Sequence, residues 1–359
     1  MVILTGPRQV GKTFLAKQLS KHFSSYQYLN FDNQEDNIVI KKRNWDPNIK
    51  LIIFDEIHKM KNWKTFVKGV YDTKPEHQAI LITGSARLET FKQMGDSLAG
   101  RYFNLRLHPF SVKELERTSS PYDLIEKLNN LGGFPEPFLS NSVDENARWR
   151  RQYYTDLIRE DIFEYSRIQE INTMKLLFEL LRNRVAAPLS YFSLAQDLQV
   201  SPNTVKKYIA ILASLYIIFL VYPYHKNISR AIQREPKLYF FDTSHIIGNS
   251  GVKLENTCAV CLQKYVHYLQ DVKGQDIDLC YVRDKEGHEV DFALALNGTL
   301  QKLIEIKHSD YKPSKYLNYF AKRIPQIEAI QLVHNLRIEK YHDNLKILNA
   351  GKWLSTLPA

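Results

Sequence analysis

The sequence predicts an α/β protein built from several regions, and three observations carry that expectation. From Met1 to about Leu107, strands alternate with helical stretches, the pattern of a parallel sheet covered by helices. From about Trp149 to Leu220, apolar residues recur at helical spacing. The last third returns to strands separated by tight turns. We expect a core at 1–107, a helical lid or linker at 108–150, a helical region with a strand pair at 151–245, and an α/β domain at 246–359. The 359 residues suffice for two or three domains.

The first strand, Val2-Ile3-Leu4, runs into Gly6-Pro7-Arg8-Gln9-Val10-Gly11-Lys12-Thr13, which fits G-x-x-x-x-G-K-[ST] without a mismatch. The glycines let backbone N–H groups turn inward onto phosphates, Lys12 adds a point charge, and the Thr13 hydroxyl suits Mg²⁺. Phe14 to Leu19 continues as a helix whose N-terminal dipole favours the anion. Residues Gly6 to Phe14 are therefore the expected ATP-binding stretch. The strand Tyr26–Phe31 follows, then Leu51–Phe54, which ends in Asp55 and Glu56. Asp55 is expected to hold Mg²⁺ and Glu56 to polarise the attacking water. One strand separates the two motifs in sequence. In this the chain resembles the AAA+ and related ATPases, whose sheet sets a further strand spatially between them. Ala79–Ser85 is a further strand, and Ser85 at its end is either a γ-phosphate sensor or a strand-end turn. Arg87 and Arg101 are candidate phosphate-reaching arginines or ordinary surface ones, and a ring or dimer follows if one acts in trans.

Lys plus Arg exceed Asp plus Glu by 49 − 39 = 10, with a pI near 9.2, which is compatible with a polyanionic partner. Apolar runs are too short for a membrane span and no secretory signal opens the chain, so a cytoplasmic location without a membrane is expected. Three cysteines exclude a disulfide framework. Cys258 and Cys261 form a C-x-x-C on an expected helix with no second ligand pair, so we read them as core and expect no zinc.

Pro109, Ser119-Ser120-Pro121 and Gly132-Gly133-Phe134-Pro135 punctuate short helices and mark a boundary. Ser193 to Ile209 has a helix-turn-helix rhythm, with Ser201 as N-cap and Pro202 opening the second helix. Asn203, Thr204, Lys206 and Lys207 fall on its exposed face. Phe219–Tyr222 and Leu238–Phe241 are candidate wing strands, with Lys226, Arg230, Arg234 and Lys237 between them. DNA binding by a winged helix is one reading, and packing is the other. In the last third, Leu254 to Leu269 is an expected helix carrying Glu255. Strands follow at Asp278–Arg283, Glu289–Leu294 and Leu303–Lys307, with turns at 285–288 and Asn297-Gly298. Alternation puts Glu305 and Lys307 on one face. A helix-borne acid, Asp291, a hairpin, then Glu305-Ile306-Lys307 is the order of the PD-(D/E)xK nucleases. Glu255, Asp291 and Glu305 would hold a divalent metal while Lys307 acts on water. A fold kept for binding alone is the alternative.

Across nearly its whole length the chain resembles the bacterial and archaeal AAA-type ATPases that carry a C-terminal domain of uncharacterised function. The resemblance rests on Leu4 to Thr13, Phe54 to Lys59, Leu81 to Ser85, Leu98 to Arg101 and Gly132 to Glu136. It continues through Leu254-Glu255-Asn256, Glu289 to Phe292 and Glu305 to Lys307. It implies an ATPase domain, a winged helix and a restriction-endonuclease-like domain. Compared with that family, little of the segment expected before the first strand is present.

Overall fold

The short apolar runs of the first third lie side by side as a parallel sheet. The computed structural model describes residues 1–84, 98–157, 168–225, 234–309, 312–324, 326–342 and 344–358. Its first unit comprises residues 1–108 with 214–216. Here β1 (Val2–Thr5), β2 (Tyr26–Asn30), β3 (Leu51–Asp55), β4 (Ala79–Thr83) and β5 (Phe103–Arg106) pair in the order β2-β3-β4-β1-β5. All pairings are parallel. The strand β4 thus lies between β1 and β3, as the motif order anticipated. Both faces of the sheet are buried, which explains why these strands are apolar runs. Ile3, Ile52, Phe54, Ile80 and Ile82 pack with Trp63, Val67 and Val70 of the helix Trp63–Thr73. Leu4, Leu51, Ile53 and Leu81 pack with Ala16 of the helix Lys12–Ser20.

The second unit comprises residues 109–213 and 217–359. Its sheet contains β6 (Ile218–Pro223), β7 (Lys237–Phe240), β8 (Ile277–Arg283), β9 (Glu289–Leu296), β10 (Thr299–Lys307), β11 (Glu328–Val333), β12 (Lys340–His342) and β13 (Leu345–Asn349). They pair in the order β12-β13-β11-β10-β9-β8-β6-β7. The turn at Asn297-Gly298 has φ of 50° and 71°, the left-handed pair that a tight hairpin between β9 and β10 requires. The helix Ser250–Lys273 buries Cys258 and Cys261 as free thiols, in line with their reading as core.

Two sequence expectations change here. The candidate wing strands β6 and β7 do form an antiparallel pair, but β6 also pairs parallel with β8. The pair is therefore the edge of the large sheet. Its composition explains this: every residue of β7 is buried, Tyr239 and Phe240 completely, so it could not project into water. Lys237, expected with the other basic residues between the strands, instead opens β7 and is 1% exposed. Arg234 is exposed, while Lys226 and Arg230 lie outside the described residues.

The Gly132-Gly133-Phe134 block closes the helix Pro121–Leu131 against this unit. Gly132 has φ 71°, and a Cβ there would meet Asp242 Oδ1 at 1.9 Å. Only glycine permits that approach. Phe134 is buried against Trp149 and Tyr153 of the helix Val143–Leu157.

Candidate functional site

The turn after β1 is shaped by its glycines. Gly6 has φ 143°, and a Cβ there would lie 2.2 Å from the Leu107 carbonyl oxygen, so the loop can pass the end of β5 only without a side chain. Gly11 has φ 101° and caps the helix Lys12–Ser20. Lys12 is buried, and its Nζ donates to the carbonyls of Gly6, at 3.0 Å, and Pro7. Burial lowers its pKa to about 8 against the opposing pull of Glu56 and Asp55. A desolvated ammonium whose hydrogen bonds go to neutral carbonyls is poised for an anion. Val10 is buried and supports the loop, whereas Gln9, at φ 57°, and Phe14, 68% exposed, face outward. Pro7 is buried and Arg8 half-buried.

At the end of β3, Asp55 stands in register with Thr83 of β4 and Asn30 of β2. Three hydroxyls converge on its buried carboxylate. Thr83 Oγ1 donates to Oδ1 at 2.6 Å, and Thr13 Oγ1 and Tyr28 OH donate to Oδ2 at 2.9 and 2.6 Å. Burial and the Asp55 charge push the Tyr28 phenol well above its usual range. Tyr28 and Thr83 were not singled out from sequence. The available signal was register, since both strands flank β3. Glu56, one residue on, adopts φ 55°, and its N–H donates to Thr83 O at 3.0 Å. That left-handed turn points the side chain away from the strand's alternation, toward His58 Nε2 at 3.6 Å and Lys59 Nζ at 3.5 Å. Burial raises its pKa. The residues present fit an ATP phosphate tail with Mg²⁺: a glycine cradle, a buried cation, and a hydroxyl beside a carboxylate. Arg101 is engaged elsewhere, bonding Asp72 through Nε at 2.8 Å and Nη2 at 3.3 Å. Ser85 and Arg87 lie outside the described residues.

In the second unit, Glu255 and Asp291 meet at a lysine that sequence reading had placed between the candidate wing strands, and Glu305 pairs with Lys307. Lys237 Nζ lies 3.4 Å from Glu255 Oε1, 3.4 Å from Asp291 Oδ1 and 2.7 Å from Glu289 Oε1. Burial disfavours its charge, but the three carboxylates outweigh that and hold the ammonium above its ordinary pKa. Tyr239 OH donates to Glu255 Oε1 at 2.8 Å, and the Ile306 N–H donates to Asp291 Oδ2 at 2.9 Å. Lys307 Nζ sits 2.8 Å from Glu305 Oε1, which also accepts from Ser314 Oγ at 3.1 Å. Glu305 Oε2 is buried without a hydrogen-bond partner. Burial and the nearby Asp291 push the pKa of both Glu255 and Glu305 upward. The residues thus fit a metal only in part. Among the described residues, two sets of three ligand-type side chains have donor atoms within 4.8 Å of one another, and Glu255, Asp291 and Glu305 are not one of them.

Upstream, the extended residues Pro188–Leu189 bridge to β7, and the helices Ile168–Arg182, Tyr191–Leu198 and Pro202–Ser214 precede the β6–β7 pair. Ser201 Oγ caps the last of these by accepting the Thr204 N–H at 3.1 Å, leaving Asn203, Lys206 and Lys207 exposed and Thr204 half-buried. No described helix is long and apolar enough to cross a membrane.

Residues 1–116 match a family model described as an AAA domain, and residues 122–253 match one described as a domain of unknown function (DUF8612). An uncharacterized protein of Methanocaldococcus jannaschii is 27% identical over 95% of this chain and 82% of its own length. An uncharacterized protein of Mycobacterium tuberculosis is 28% identical over 68% of this chain, which spans about half of it, 54%. A Thermotoga maritima RuvB variant of known structure shows 17% identity and a TM-score of 0.31, covering 61% of this chain and 80% of that one. The parallel sheet order, the phosphate loop and the family match together support an AAA-type P-loop ATPase domain in residues 1–116.

Proposed function

We propose that this chain is a Mg²⁺-dependent ATPase whose nucleotide state governs a DNA-binding region. The observation that carries the ATPase reading is the Thr13–Asp55 bond of 2.9 Å, which joins the phosphate-loop helix to β3 beside the buried Lys12. When bound, Mg²⁺ supplies positive charge to the phosphate oxygens. The protein's own groups do the rest. Lys12 exchanges its carbonyl partners for phosphate oxygens, Thr13 and Asp55 hold the ion, and Tyr28 and Thr83 orient Asp55. Glu56, made a better base by burial, takes the proton of the attacking water. Steady-state hydrolysis by Glu56→Gln should fall by roughly 10²–10⁴-fold, the usual share of a general base, with nucleotide binding kept, and Lys12→Ala, which removes the phosphate cation, should lose turnover by orders of magnitude. An intact chain that never turns over ATP, with or without DNA, overturns the enzymatic claim.

For residues 151–245 we favour a DNA-binding helix-turn-helix whose following strand pair is the edge of the large sheet and not a free wing. The three helices, the bridge to β7 and the exposed Asn203, Lys206 and Lys207 support it, as does the net charge of +10. Coupling to nucleotide is reciprocal. If ATP changes DNA affinity by some factor in a shift assay, DNA must change ATP affinity by the same factor. For residues 246–359 we favour a nuclease-like fold retained for binding, because an ammonium already bridges Glu255 and Asp291, two of the three acids expected to hold a metal. Plasmid cleavage with Mg²⁺ or Mn²⁺ that Asp291→Ala abolishes would reverse this assignment. An arginine finger role for Arg101, and an oligomer built on it, would require release from Asp72. Loss of turnover without loss of folding in Arg101→Ala is its test.

A further inference from the structure

One residue beyond the E-x-K lysine, a second group of ligand-type side chains assembles from three separate parts of the sequence. The strands β10 and β11 run parallel with Lys307 opposite Val333, so His308 and His334 leave the sheet together. The His334 N–H donates to Lys307 O at 3.1 Å and the Asn335 N–H to His308 O at 2.9 Å, which keeps the two histidines in step. Their ring centroids are 5.5 Å apart. The helix Pro121–Leu131 brings Glu126 to the same point, with Oε1 2.6 Å from His334 Nε2. Glu126, His308 and His334 each offer a donor atom within 4.8 Å of the other two.

The state of His334 is the informative part. The ring is 1% exposed and stacks on Tyr122 at 4.3 Å. Its Nε2 faces the Glu126 carboxylate, while its Nδ1 is buried with no hydrogen-bond partner. A simple Glu126–His334 pair accounts for Nε2. It does not account for a second histidine whose donor atom lies in the same 4.8 Å group. Two imidazoles with one carboxylate form a ligand set that suits Zn²⁺ and its neighbours and does not suit Mg²⁺. His308 and Glu126 are only half-buried, so an ion can reach the group from solvent.

We propose that Glu126, His308 and His334 form a binding site for one transition-metal dication of the zinc class, separate from both the phosphate loop and the acidic cluster. The site does not depend on the ATPase reading. Its test is titration of the full chain with Co²⁺ in excess Mg²⁺, followed by visible absorption, with Zn²⁺ competition. One equivalent should bind with a nitrogen-ligand spectrum that Zn²⁺ abolishes and Mg²⁺ does not. His308→Asn and Glu126→Gln should each weaken binding by at least about tenfold, the scale seen when groups around a metal are removed. His334→Asn should do the same, and if that buried change prevents folding, the other two variants decide. Absence of Co²⁺ binding, displacement by Mg²⁺, or unchanged affinity in His308→Asn overturns the proposal.

Discussion

Single side chains define how far each candidate site is organised. Asp55 is satisfied on both oxygens before any ion arrives, and among the described residues Thr83 alone serves Oδ1. In Thr83→Val that oxygen loses its donor while shape and burial are retained. The Mg²⁺ concentration giving half-maximal ATP turnover should then rise about tenfold, the usual effect of losing an outer partner of a metal ligand. An unchanged Mg²⁺ dependence would remove Thr83 from the site. Lys237 is the counterpart in the second unit. It faces three carboxylates at 2.7 to 3.4 Å from within a buried strand. Lys237→Met leaves those charges without their cation, and removing one partner of a buried ionic group costs about 3–5 kcal/mol. Urea unfolding of the full chain should show a loss of that size, while a loss below about 1 kcal/mol would mean that the cluster is solvated instead. Sequence reading found Glu255, Asp291, Glu305 and Lys307 because helix–strand–hairpin–strand spacing brings such residues together. It missed Lys237 because a lysine among Arg234 and other basic residues looks solvent-facing until its strand is known to be buried.

Elements differ in how plainly the sequence declares them. The phosphate loop, the strand ending in Asp55 and the Asn297-Gly298 turn each carry a local rule that admits few alternatives: a glycine spacing, a doubly buried apolar run, a left-handed pair. The β6–β7 pair carries no such rule. Its pattern fits a free wing and a sheet edge equally well, and only the pairing of β6 with β8, some 60 residues later, decides between them. The helix Pro202–Ser214 was legible because Ser201 and Pro202 state where it begins, and its exposed Lys206 and Lys207 follow from the same register. If these lysines meet DNA phosphates, Lys206→Ala with Lys207→Ala should lower the slope of log affinity against log salt by about 2, close to one released counterion per lysine. A slope that stays the same while binding persists would assign this helix face to protein packing.

At the scale of the whole molecule, stability against pH sums groups of opposite sign. Glu255 and Glu305 have folded pKa values raised by burial, so the folded state binds their protons more readily, and they add stability as pH falls toward the ordinary carboxylate range. His245 works against them. It is enclosed by Phe178, Phe240 and Tyr154, and burial holds its pKa at about 4 despite the nearby Asp242. Above its unfolded value near 6.5, neither state carries the proton and the ring contributes nothing. Below that value the unfolded chain takes up a proton that the folded chain refuses, so stability falls until about pH 4. The fall approaches 1.4 kcal/mol per pH unit, or about 3 kcal/mol across the window. The two contributions separate in a difference experiment. Melting of the intact chain and of His245→Gln should be followed from pH 8 to pH 4. The variant keeps the carboxylate gain but lacks the imidazole, so whatever its offset at neutral pH, the gap should move in its favour only below about pH 6.5. Parallel curves through that window would mean that the imidazole reaches water in the folded state.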